Sequence, residues 1–141
     1  MSAELDIQYY EAELSRLEET RLTANVHTIQ SIENQIGMAQ SRLGRALLYE
    51  GHYSRCRDVL SESVHYHLQA EGSLVAISDL IYLAKAELFL GNLRTVVNIC
   101  DTVTNLITLQ QNSPAYAEEL VAFRKMIQVL RDAASALPPS G

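Results

Sequence analysis

Shifted by 40 residues, the chain lines up with itself. "RLGRALLYEGHYSRCRDVL" (42–60) falls on "YLAKAELFLGNLRTVVNIC" (82–100). Leu43 meets Leu83, Gly44 meets Ala84, Arg45 meets Lys85, Ala46 meets Ala86, Leu48 meets Leu88 and Gly51 meets Gly91. Ser73 meets Ser113, and a third, partial copy follows in which Leu120, Lys125 and Leu130 match Leu80, Lys85 and Leu90. A repeat of this length is the mark of stacked helical hairpins. One hairpin cannot bury both faces of its helices, so its neighbours must cover it. The third copy lacks a turn and a second helix, which reads as a terminal cap.

The apolar periodicity agrees. Ile29, Ile32, Ile36, Ala39, Leu43 and Leu47 step by three or four, as do Tyr53, Cys56, Leu60, Val64 and Leu68. Ile77, Leu80 or Ile81, Ala84 and Leu88 continue the pattern, then Leu93, Val96, Cys100, Val103 and Ile107, and finally Leu120, Phe123, Ile127, Leu130 and Ala134. Helix 73–90 is apolar on more than one face, as an interior helix should be. Gly51, Gly72 and Gly91 are helix stops, Ser73 and Ser113 are N-caps, and Pro114 suits a first helical position. At the N-terminus Ile7, Tyr10, Leu14 and Leu17 make one more stripe, separated from the next near Thr23 to Asn25, so two helices are expected before residue 50. Small residues, Gly44 with Cys56 and Ala84 with Val96, are expected to face each other across each hairpin.

This pattern resembles the tetratricopeptide repeat in a long, 40-residue form. The series Leu43, Gly44, Leu47, Gly51, Tyr53, Cys56, Leu60 and Ser63 carries the resemblance over residues 33–130. The second copy departs from it at Glu87, where an apolar residue is usual, and at Leu93, in the aromatic place. The resemblance implies an all-α fold of antiparallel hairpins stacked as a short solenoid, with an extra N-terminal helix and a C-terminal capping helix. The expected organisation is an acidic amphipathic helix over 1–25, a repeat domain over 26–132 and a flexible tail over 133–141.

Charge and composition exclude several functions. A net charge of −6 is wrong for wholesale nucleic-acid binding, which needs a basic surface. No apolar run is long enough to span a bilayer, the N-terminus carries acids where a secretory signal needs bases, and two cysteines make no disulfide framework. The expectation is a cytoplasmic protein. His52 and Cys56 are four apart, yet a metal site needs further ligands, and a Cys–His nucleophile pair needs an orienting third group. His65 and His67 point to different sides of a helix. No phosphate-binding, zinc-protease or serine-elbow motif occurs. Neither a catalytic residue, a metal nor a cofactor is expected.

The candidate site is a ladder. Arg45, Lys85 and Lys125 recur at the repeat period, each on the first helix of its unit. In proteins this sequence resembles, that position lines the concave groove. The same register adds Met38, Ser41, Leu48 and Tyr49, then Ser78, Ile81, Leu88 and Phe89, then Val121 and Gln128. Cations beside aliphatic and aromatic anchors suit an acidic peptide or a C-terminal carboxylate. The competing reading is an ordinary solvated helix face. The functional expectation is a protein- or peptide-binding module without catalysis, an adaptor, chaperone or regulatory scaffold. Homodimerisation would cover the open end of a short stack. The alternatives are the sensor portion of a transcriptional regulator and, further off, a metal-binding or enzymatic helical bundle.

Overall fold

Two glycines in the left-handed region turn the chain back on itself. Gly51 has φ 83° and Gly91 has φ 81°, a conformation in which any side chain is strained. The structure is a computed structural model that describes residues 3–69 and 73–137. It contains six α-helices: α1 (Ala3–Leu22), α2 (Ile29–Tyr49), α3 (Tyr53–Gln69), α4 (Ser73–Phe89), α5 (Leu93–Gln110) and α6 (Ala117–Ala136). There is no strand among the described residues. At the end of α2 the Gly51 N–H donates to the Leu48 carbonyl at 3.0 Å and the His52 N–H to the Leu47 carbonyl at 2.8 Å. At the end of α4 the same pair of bonds recurs, Gly91 to Leu88 at 3.1 Å and Asn92 to Glu87 at 2.9 Å. These bonds satisfy carbonyls that a helix end leaves open, and they do so at the same place in both copies of the repeat.

Each helix packs against the next in the chain, and α2 also touches α4 while α4 touches α6. Corresponding helices of successive units therefore lie beside one another. Helix α4 is enclosed by α2, α3, α5 and α6. That is why Ala76, Ile77, Leu80, Ile81, Leu83, Ala84 and Ala86 are all buried along it. One core runs from Ile7 of α1 through Leu47, Leu60, Ile77 and Val103 to Leu130 of α6. A smaller cluster joins Leu17 to Ile32, Ile36 and Ala39. Helix α1 thus shares its core with the rest, and the expected division at residue 25 is not a boundary in packing. The two N-terminal helices are separated by a turn in which Asn25 Oδ1 accepts from the His27 N–H at 2.9 Å and the Thr28 N–H at 3.2 Å.

Several local expectations need correction. The side chain nearest Gly44 is Leu60, not Cys56. A Cβ on Gly44 would overlap Leu60 Cδ2 and stand 2.5 Å from Leu60 Cγ, so the glycine makes room for a leucine. Cys56 is buried in the core, one turn away along α3. Pro114 does not open α6. It begins a 3-10 turn, Pro114–Tyr116, with no side-chain cap from Ser113, and α6 starts at Ala117. Helix α6 then continues to Ala136 with Ala134 buried, so residues 133–136 complete its apolar stripe and are not tail. Gly72, the capping side chain of Ser73 and residues 138–141 lie outside the described residues.

Replacing Gly44 with valine should force Leu60 out of its rotamer and destabilise the fold by about 2 kcal/mol in urea unfolding. Trimming the obstacle as well, in G44V/L60A, should cost less than the two single changes added together. Strict additivity would show that these residues do not share the contact.

Candidate functional site

The expected cation ladder is organised by a residue outside it. Tyr82, on α4, lies between Arg45 of α2 and Lys85 of its own helix. Arg45 Cζ is 5.0 Å from the ring centroid and Lys85 Nζ is 4.8 Å from it. Both distances are within cation–π range. Arg45 also donates through Nη2 to Ser78 Oγ at 3.1 Å. One turn farther along α4, Phe89 stacks on Tyr53 of α3, with centroids 4.6 Å apart and planes 8° from parallel. Phe89 remains 63% exposed, and Tyr49 at the same register of α2 is 85% exposed. Neither Arg45, Lys85 nor Lys125 forms an ion pair with a carboxylate among the described residues.

The other expected residues divide. Met38 is at the edge of exposure, Ser78 is half-buried, and Val121 and Lys125 are exposed on α6, though no contact joins Lys125 to Tyr82. Ser41 and Ile81 are each 1% exposed and offer nothing to a ligand. Repeat register placed them on the ladder's face, but the helices on either side cover that turn. Tyr82 was not visible in the repeat because its counterparts are Arg42 and Ala122. Its spacing of three from Lys85, which puts both on one helix face, is the signal that marks it.

Ser41 instead belongs to a buried polar cluster that joins α2, α3 and α4. Asp79 Oδ2 lies 2.9 Å from Ser41 Oγ, 2.6 Å from Ser63 Oγ and 2.9 Å from His67 Nδ1. The two serine hydroxyls are 2.7 Å apart, and each is 3.1 Å from the Gly37 carbonyl. The ring nitrogen of His67 that faces the carboxylate is Nδ1. Asp79 Oδ1 and His67 Nε2 are buried and have no hydrogen-bond partner among the described residues. The apolar stripe of α3 shifts to accommodate this. His67 turns inward and Leu68, expected inside, is 48% exposed. The repeat shows that the fold does not demand such a cluster. Forty residues on from Ser41, Ser63 and His67 stand Ile81, Val103 and Ile107, all buried.

A second buried acid, Glu87, accepts from Asn92 Nδ2 at 2.8 Å and has Arg57 Nε 3.9 Å away. These partners let a carboxylate occupy the place of Leu47 in the first unit. The thiols are unsuited to nucleophilic work. Burial pushes Cys56 up to about 12, against a weaker opposing effect from a backbone hydrogen bond with Leu48. Cys100 is also raised by burial, with Arg131 opposing and Asp101 adding. His52 is exposed at the turn. Among the described residues, no group of three or more His, Cys, Asp or Glu side chains is placed to hold a metal ion, and no helix is long and apolar enough to cross a membrane.

Comparison with protein-family models, with curated proteins and with solved structures finds no match to this chain.

Asp79→Ala should remove the acceptor that two hydroxyls and an imidazole share, lowering stability by about 3 kcal/mol. Replacing the whole cluster with apolar residues, in S41I/S63V/H67I/D79L, should leave the protein at least as stable as the original. Urea unfolding of both variants checks this. A quadruple variant as weak as Asp79→Ala would mean that the polar groups are needed for packing.

Proposed function

We propose that this chain is a helical-repeat interaction module of tetratricopeptide type, an adaptor, chaperone or regulatory scaffold without a catalytic step. Its docking face is made by α2, α4 and α6, and it takes an acidic segment of another protein. The observation that carries this reading is the pair of cations on Tyr82. In a chain with six more acids than bases, Arg45 and Lys85 lie against an aromatic ring and not against a carboxylate. A cation over a ring face keeps most of its N–H groups directed outward. Arg45 therefore retains donors with which to grip a carboxylate in two-point fashion.

The apolar neighbours support the same reading. Tyr49, Phe89 and Val129 occupy one register of the 40-residue repeat and are 85%, 63% and 67% exposed. They lie four residues beyond Arg45, Lys85 and Lys125, one helical turn along. A row of cations beside a row of exposed apolar side chains fits a segment that has acids on one edge and apolar residues on the other. Isolated exposed apolar residues are ordinary. Three at one register, each a turn from a cation, are harder to attribute to solvation alone. The face consists of Arg45, Tyr82, Lys85, Lys125, Ser78, Met38 and Val121 with these three anchors, and excludes Ser41 and Ile81.

A displayed random-peptide library should be enriched for peptides that combine acidic and apolar residues. The double reversal K85E/K125E should weaken the best of them by about tenfold or more, equivalent to about 1.4 kcal/mol. Absence of enrichment, or affinity indifferent to the reversal, would remove this face from consideration.

A further inference from the structure

The element of this chain with the complementary pattern is α1. It holds six acids and two arginines, so it accounts for four of the six surplus negative charges of the whole chain. Glu4, Glu11 and Glu18 are exposed and spaced by seven residues, which puts them in one row about 10.5 Å apart. Neighbouring helices lie about 8–10 Å apart, so the cations of α2, α4 and α6 recur at a similar interval.

Helix α1 cannot serve its own chain in this role. Ile7 and Leu17 are each 2% exposed, holding it against α2. Glu11 pairs with Arg55 of α3 at 3.1 Å, and Arg21 donates to the Tyr66 hydroxyl of α3 at 2.7 Å. It is therefore fixed beside α2, its main packing partner, with side-chain contacts to α3. Glu4 and Glu18 are exposed and form no ion pair among the described residues.

We propose that α1 of a second copy docks on the α2–α4–α6 face, with Glu4 and Glu18 set against the row formed by Arg45, Lys85 and Lys125 while Glu11 keeps Arg55 of its own chain. This rests on reading that face as a docking face, and names the occupant. The helix lies across the three receiving helices with its own packing on α2 and α3 intact, so association requires little backbone change. Charge complementarity sets its orientation and makes the contact sensitive to salt. A partner with a better acidic segment competes with the second copy for the same cations.

Sedimentation velocity of the full chain over a wide concentration range tests this directly. The chain should self-associate at low ionic strength and dissociate as salt is raised. Reversing the donor row, in E4K/E18K, or the receiving row, in K85E/K125E, should weaken association by about tenfold or more. All four positions are exposed or half-exposed and none is in an ion pair among the described residues, so each variant keeps its fold, which circular dichroism verifies. Combining the four changes should restore association by exchanging the signs. A chain that remains monomeric, or whose association ignores either reversal or is not restored in the combined variant, would overturn α1 as the occupant. A monomer that still binds the selected acidic peptides would keep the docking face while losing this partner. A monomer that also ignores the peptides would remove both.

Discussion

The architecture depends on two turns that only glycine makes without strain. At Gly51 and Gly91 the backbone enters the left-handed region and the following helix returns along the one before it. Because the turns are 40 residues apart and use the same pair of hydrogen bonds, the helices that precede them arrive side by side with equivalent residues in register. Close approach then has to be provided, and the first unit provides it by leaving Gly44 without a side chain beneath Leu60. Hinge and approach are both local properties, and together they set the order in which the helices pack.

That dependence explains what was legible in the sequence. Helix number, the turns at Gly51 and Gly91, and most of the buried stripe residues follow from periodicity and from glycine chemistry, which act locally. The break between α1 and α2 was visible for the same reason, through Asn25. What was not legible depends on which partner fills a space. Cys56 looked like the small residue opposite Gly44, but choosing between it and Leu60 requires knowing how the two helices are rotated. His67 and Leu68 differ by one position. Only the presence of Asp79 on α4 decides that the imidazole turns inward. Ser41 and Ile81 matched the ladder by register and were lost to it by burial, while Tyr82 entered it without any counterpart one repeat away.

The buried polar cluster and the exposed cation pair illustrate opposite uses of charge. Around Asp79, three polar side chains from two neighbouring helices converge on one oxygen, and all of them are buried. In the second unit the counterparts of Ser41, Ser63 and His67 are the buried apolar residues Ile81, Val103 and Ile107, so the cluster belongs to this junction and not to the repeat. Around Tyr82, the charges remain at the surface and lean on a ring, where desolvation is small and the donors stay usable. The first arrangement fixes which helices meet. The second leaves cations available in a protein whose surface is mostly acidic, and this underlies the proposal that α2, α4 and α6 receive an acidic segment.

The most direct test of that proposal is residue-level mapping of where such a segment binds. Isotope-labelled protein would be titrated with an acidic, apolar-flanked peptide while backbone amide chemical shifts are followed. The account predicts perturbations concentrated at 42–49 of α2, 78–89 of α4 and 121–129 of α6, with the outward faces of α3 and α5 unaffected. Perturbations centred on α3 and α5, or spread without preference over the surface, would contradict it.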